Sequence, residues 1–398
     1  MNNNLNNLKG VSIEYHILQS FPVTCLNRDE NGIPKTAMIG GATRGRLSTA
    51  SCRRPIRSYI YDTYGCAAIR TKNVTGLLRD LMLENGASPE KAEDCAKRAQ
   101  KAMSINTLVL LRRSEFKVIA DFAMECGYDA EKMTVIKKKD KNEQKQESEN
   151  ETADAGEDNK KSKKYQFVKE LQERINKLDA GLDGLDIALF GRMLAQEQSM
   201  NISAAAAFAH AITTHRISNE IDFFTALDEF DRENPKSEHI GTAEFNSGTY
   251  YRYVNLNLWQ LAENLRKNAN GIDGDELLEN VIKAIRIFTE SLYIAVPSAR
   301  QKTMSGYHPW DYARVLVRKG QGLQASFETP VKPDRVDGGY LKPSIERLNE
   351  ELDKMKKRSG SLYGEINDYS IGEGWDDKIN IDGLINALCD DIVKLVRK

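Results

Sequence analysis

The sequence predicts an α+β chain: a mixed core of strands and helices with a mainly helical insertion between its first and second strands. Three observations lead there. Residues 11–21 alternate loosely between apolar and polar side chains, the period of a strand. Residues 73–127 carry apolar side chains at helical spacing. Residues 249–257 and 312–319 then return to strand-like patterns among long amphipathic helices. A chain of 398 residues can bury a large core and is expected to divide into two or three units. No internal repeat is found.

The elements follow in order. After the first strand, a Gly/Arg-rich segment reads as a loop. Ser51 is placed to cap a short helix carrying Arg53, Arg54 and Arg57. Pro55 limits that helix, because proline is tolerated only in the first turn; it starts near Ser51 or is kinked. Ser88, Pro89 and Glu90 make a helix start, with a capping serine, a first-turn proline and an acid near the positive end. Ser114 caps a further helix that Gly127 stops, with Phe116, Ile119, Ala120 and Ala123 on one face. Residues 137–164 hold nine Lys, eight Asp or Glu and no Val, Ile, Leu, Phe or Met. Nothing there offsets the entropy of ordering, so a disordered insertion is expected. Its near-balanced charge favours a solvated loop over an RNA-tethering arm. Helix resumes over 165–178. The apolar run 185–191 (LDIALFG) reads as a buried strand; residues 204–214 read as strand, although four alanines also allow helix. Residues 275–296 form a long amphipathic helix, 312–319 a strand, and 344–358 and 382–398 helices.

Charge is the strongest functional signal. The chain has net charge −1, but residues 1–60 hold eight basic and three acidic side chains. Seven of those basic residues fall within 25–57: Arg28, Lys35, Arg44, Arg46, Arg53, Arg54 and Arg57, opposed only by Asp29 and Glu30. The residues between them are largely small, which lets a polyanion backbone approach, and Arg forks phosphate oxygens in paired hydrogen bonds. The segment reads as a phosphate-backbone grip on an otherwise near-neutral body.

Other classes are disfavoured. GGATRGR at 40–46 lacks the GK[ST] ending of a nucleotide-triphosphate loop and the GxGxxG of a dinucleotide site. His210 and His215 are spaced poorly for zinc and read as core or surface histidines. No catalytic triad or carboxylate dyad stands out. The six cysteines show no CxxC pair and read as reduced thiols of a cytoplasmic protein. No run of about 18 apolar residues exists, so no membrane span is expected; the N-terminus lacks the pattern of a signal peptide. No cofactor and no metal is expected. Two aromatic groups stay open from residues alone. Phe223 and Phe224 lie in a polar stretch, where packing is favoured over wedging between bases; Tyr250, Tyr251 and Tyr253 suit base stacking and half-buried alternation equally.

Several stretches together resemble the CasC family, the backbone subunit of the type I-E CRISPR Cascade complex. These are CLNRD at 25–29 with the GG-x-x-R-x-R-[IL]-S segment and basic helix after it, LDIALFGRM at 185–193, and AHAITTHRISNEIDFFTALDEF at 209–230. GTAEFNSGTYYRYVNLNL at 241–258 and VPSARQKTM at 296–304 follow in the same order. The resemblance implies an RNA-recognition-motif-like (ferredoxin-like) palm with an inserted helical fingers domain and a protruding thumb. By position, the palm would take 1–60, 181–215 and 247–398, the fingers 61–180, and the thumb 216–246. It implies a non-catalytic protein that binds CRISPR guide RNA, lines up in several copies along it, and presents its bases to a target DNA strand beside other Cascade subunits. A recruited helicase–nuclease would cut the DNA.

Carried over by position, Arg28, Lys35, Arg46, Ser48, Arg53, Arg54 and Arg57 would hold guide phosphates within the same basic segment as Arg44. Met193 would sit against a displaced base, and Phe223, Phe224 and Thr225 would lie on the thumb near the kink, reversing the packing preference. Ala50 stands where the family often has glutamine, Arg53 where it often has lysine, and Pro55 where it has an ordinary helix former. Related backbone subunits of type III effectors cut RNA with a palm-loop aspartate, which makes Asp29 the candidate of a rival nuclease reading. A solitary regulatory RNA-binding domain is the third.

Overall fold

The computed structural model describes residues 4–103, 108–134, 170–171, 173–175, 177, 180–194, 200–227, 237–297, 299–372 and 379–398. The expected disordered insertion at 137–164 and most of the expected helix at 165–178 lie outside the described residues. The chain forms two compact units. The first joins Met1–Tyr64, Ala205–Ala262 and Gly274–Lys398; the second joins Gly65–Ala204 and Glu263–Asp273.

Strands are numbered in chain order: β1 Val11–Thr24, β2 Thr36–Ile39, β3 Ala42–Leu47, β4 Ile69–Thr71, β5 Val109–Leu111, β6 Ala206–Phe208, β7 Ala211–Thr213, β8 Glu220–Leu227, β9 Ser237–Asn257, β10 Tyr312–Lys319 and β11 Glu365–Gly372. In the first unit the order across the sheet is β11-β10-β1-β9-β7-β3-β2, with β6 and β8 also pairing with β9. The pairings are antiparallel. β1 is central and buried on both faces over most of its length. That burial places Glu14 and His16 in the interior, where they need partners. The Arg318 guanidinium donates to Glu14 Oε1 at 2.7 Å, and His16 Nδ1 lies 2.9 Å from the Tyr251 hydroxyl. Ala325 N donates to that hydroxyl and Leu323 N to Glu14 Oε2, so the segment after β10 is fastened over this face.

The sequence expectation fails in three places here. The Gly/Arg-rich segment is a hairpin, β2–β3, rather than a loop. Ile39 pairs with Ala42, leaving Gly40 and Gly41 as a two-residue turn, both at positive φ (57° and 71°). Such turns need glycine and match the twist of antiparallel strands. The helical unit therefore enters after the third strand. The basic helix spans Thr49–Tyr59 and is capped by Ser48, whose Oγ accepts from Ser51 N. Pro55 is accordingly an interior residue of this helix. Tyr59 and Tyr64 donate to opposite oxygens of Glu290, tying the helix and the turn after it to helix Gly274–Ile294.

The second unit packs helices Val74–Glu84, Pro89–Ala102 and Arg113–Glu125 around Leu78, Cys95, Ala99, Phe116 and Ile119, beside the β4–β5 ribbon. Ser88 and Pro89 start their helix as expected, without a side-chain cap bond. The next helix begins earlier than expected. Arg112, not Ser114, sits at its N-cap, and Glu115 reaches back to accept from Arg112 N. Glu115 is fully buried and lies between Arg112 and Arg192 at 2.9 and 2.8 Å. Residues Leu185–Phe190 form a short helix, not a strand. Gly184 in the left-handed region precedes it, and buried Asp186 accepts from Ala68 N at 2.7 Å. A short apolar run does not distinguish the two by periodicity. The stretch 204–214 resolves as strands β6 and β7.

Candidate nucleic-acid interface

In the first unit, three local structures carry the basic side chains. The first is a small hairpin at 27–35. Lys35 N donates to Asn27 O, Asp29 N to Ile33 O, and Arg28 bridges to Pro34. Asp29 Oδ1 accepts from Asn31 N at 2.9 Å and Ile33 N at 3.0 Å, a local turn of the kind aspartate favours. The acid inside the grip thus folds the hairpin. The second is the β2–β3 hairpin, joined to the first by Arg46 N donating to Lys35 O. The third is helix Thr49–Tyr59. Asn27 Oδ1 accepts from Ser48 N at 2.8 Å, so the hairpin at 27–35 and the capped helix end meet.

On this frame Arg28 and Arg54 are exposed, and Lys35, Arg46, Ser48, Arg53 and Arg57 are half-buried. Arg46 reaches Thr36 O and His210 Nδ1 through long contacts of 3.4 and 3.3 Å. Arg53 folds back on Thr49 at 3.3 Å. Such surface contacts are weak and yield readily to a charged ligand.

Arg44 departs from the expected phosphate ligands. It is 0 % exposed, and its guanidinium donates to the carbonyls of Thr213, Phe327 and Glu328 at 2.7–3.1 Å. Arg46, two residues further along β3, stays half-buried at the surface. Arg44 is a structural residue that pins the segment at 327–328 to the sheet.

The aromatic candidates separate as well. Tyr250, Tyr251 and Tyr253 are all buried, so they pack the two faces of the sheet rather than offer stacking surfaces. Phe223 and Phe224 are 71 % and 47 % exposed. They sit on β8, which pairs with β9 from Phe245 back to Ser237, beyond the part of β9 that pairs with β1. Phe224 lies across Gly241 on the facing strand, while Phe223 is opposite Thr242. Thr225 follows, exposed. Met193, in the second unit, is 86 % exposed just after Gly191, a glycine at positive φ. His215 is buried with its ring stacked 3.7 Å from Tyr340, whereas His210 is exposed. Among the described residues no cluster of His, Cys, Asp or Glu is arranged to hold a metal ion, and no helix is long and apolar enough to cross a membrane.

Sequence reasoning passed over Asn27, which organises both the hairpin and the helix cap. Its signal was available: an asparagine two residues before an Asp and at the start of a Gly/Pro turn.

Two solved structures have similar folds. One is a chain of a "CRISPR RNA-guided surveillance complex, pre-nicking", with a TM-score of 0.75, 23 % identity, and coverage of 96 % of this chain and 100 % of that one. The other is a chain of a "CRISPR RNA-guided surveillance complex", with a TM-score of 0.65, 21 % identity, and coverage of 95 % and 99 %. No curated protein matches the sequence. A family profile described as "CT1975-like protein" matches residues 13–375, which take in all the motifs behind the CasC resemblance. The chain belongs to the CT1975-like protein family.

Proposed function

We propose that this protein is a non-catalytic backbone subunit of a type I-E CRISPR surveillance complex. It holds the guide RNA by its phosphates and repeats along it, leaving the bases free to pair with a target DNA strand. The observation that carries this reading is the joining of hairpin and capped helix through Asn27, which gathers Arg28, Lys35, Arg46, Ser48, Arg53, Arg54 and Arg57 on one fold shared with chains of such complexes. The antiparallel sheet is the RNA-recognition-motif-like palm. The helical unit is the fingers, and the ribbon of β8 with the first half of β9 is the thumb. On that ribbon Phe223, Phe224 and Thr225 lie near the guide's kinks, and Met193 meets the displaced base. Copies of the chain and the other Cascade subunits are its partners in the cytoplasm.

The decisive experiment compares Arg53→Ala/Arg57→Ala with the parent on guide RNA. The double variant binds more weakly at every sequence, and the slope of log affinity against log salt drops by roughly 1.4, about 0.7 per phosphate contact on a single strand. Unchanged affinity and slope would remove the grip. Incubation of the assembled complex with complementary RNA and magnesium yields no regularly spaced cuts; cuts that vanish in Asp29→Ala would restore the nuclease reading. The Asp29 carboxylate already accepts two backbone N–H bonds, which argues for its turn-forming role.

A further inference from the structure

The turn after helix Gly274–Ile294 carries the VPSARQKTM motif. Its backbone is held from several sides. Thr303 N, Met304 N and Thr303 Oγ1 all donate to Arg300 O, at 3.0, 2.7 and 3.2 Å. Buried Gln301 clamps the turn, its Nε2 donating to Pro297 O and its Oε1 accepting from Gly306 N. Thr24 Oγ1, on β1, donates to Met304 O. Inside this frame Arg300 adopts φ +52°, a left-handed conformation that disfavours any residue with a Cβ. Such strain persists where the surroundings over-determine it, and it concentrates at binding sites.

The side chain adds an independent observation. Arg300 Nη2 lies 3.6 Å from where a Cβ on Gly32 would stand, so the guanidinium rests on the hairpin at 27–35 that also bears Arg28 and Lys35. Its Nε is buried without a hydrogen-bond partner. Asp29 and Glu244 belong to the same neighbourhood around Cys25, yet among the described residues Arg300 forms no ion pair with either. A buried guanidinium nitrogen lacking an acceptor is unfavourable until one arrives, and a phosphodiester supplies two oxygens in the geometry of the arginine fork.

We propose that Arg300 is a phosphate ligand of the guide RNA. It forms a fourth element of the grip, after the hairpin at 27–35, the β2–β3 hairpin and helix Thr49–Tyr59. This rests on the RNA-binding reading above and extends it to a part of the chain about 240 residues away in sequence from the basic segment, a distance fixed by the positions of Arg300 and Arg57.

The test uses the full chain, fluorescein-labelled oligouridine as the probe, and a salt series. Arg300→Gln binds roughly tenfold more weakly at moderate salt and loses about 0.7 from the salt slope, the equivalent of one phosphate contact. Arg300→Lys retains most of the slope. Arg300→Gly relieves the positive φ, so it melts at or above the parent temperature while showing the same binding defect. A purely structural arginine would give the opposite pattern, a lower melting temperature with an unchanged slope, and would overturn the proposal. Arg53→Ala/Arg57→Ala serves as the reference. If that variant loses affinity while the Arg300 variants bind as the parent does, the assignment of Arg300 fails and the grip stands. If neither set changes the slope, both readings fall.

Discussion

Arg44 and Arg46 are two residues apart and chemically identical, yet they do different things. Arg44 donates to three backbone carbonyls, one on β7 and two in the segment at 327–328; Arg46 stays at the surface. Arg44→Met is therefore expected to destabilise the fold by about 3 kcal/mol, because it leaves buried carbonyls without donors. Urea titration measures this, and RNA bound to the folded fraction keeps the parent salt slope. The buried histidines give a pH signature. Burial lowers the affinity of His16 for a proton more than the nearby Glu14, 3.7 Å away, restores it, with Arg314 and Arg318 acting in the same direction as burial. Burial likewise depresses His215, which Arg44 reinforces. Both folded-state values lie below that of the unfolded chain. Their contribution is therefore intact above the ordinary histidine value of about 6.5 and is lost as pH falls below it. Melting temperature should decline from pH about 6.5 downward, and His16→Gln should flatten part of that decline. A flat profile between pH 7 and 5 would contradict it.

At the level of elements, the β8–β9 ribbon sets its two phenylalanines apart. Neighbours on a strand project to opposite faces, so Phe224 covers Gly241 while Phe223 stands in solvent. Phe224→Ala is expected to loosen the ribbon, with faster amide exchange along β8. Phe223→Ala leaves exchange and melting unchanged and, on the proposed reading, alters the regular kinking of bound guide seen by nuclease footprinting. If both substitutions act alike on exchange, the split between a packing and a contacting phenylalanine is wrong. The β2–β3 hairpin teaches a related lesson. Gly40 and Gly41 look like loop residues, and an arginine-rich composition conceals the strand pattern around them. Pairing across a two-residue turn makes the segment a strand pair. Likewise, the cap of the basic helix moved from Ser51 to Ser48 because Asn27 anchors the Ser48 amide from a distant turn.

Across the whole molecule, a nearly neutral chain concentrates its positive charge in one stretch, so polyanion binding should be local and steeply salt-dependent. That much follows from the sequence. So do the long strand β1, the strand Tyr312–Lys319 and the helices at the C-terminal end, since each has a pattern or apolar run long enough to express its type. The sequence also determined the family, through several ordered motifs spread along most of the chain. What it left undecided were matters of side and depth. Composition counts seven basic residues, but only the tertiary structure separates the buried Arg44 from the others and sets Arg300 against the hairpin at 27–35. It likewise takes three tyrosines suited to stacking and buries them in the core. The physical reason is that charge and periodicity are local properties of a chain. Burial and the availability of hydrogen-bond acceptors depend on which distant segments the sheet brings together.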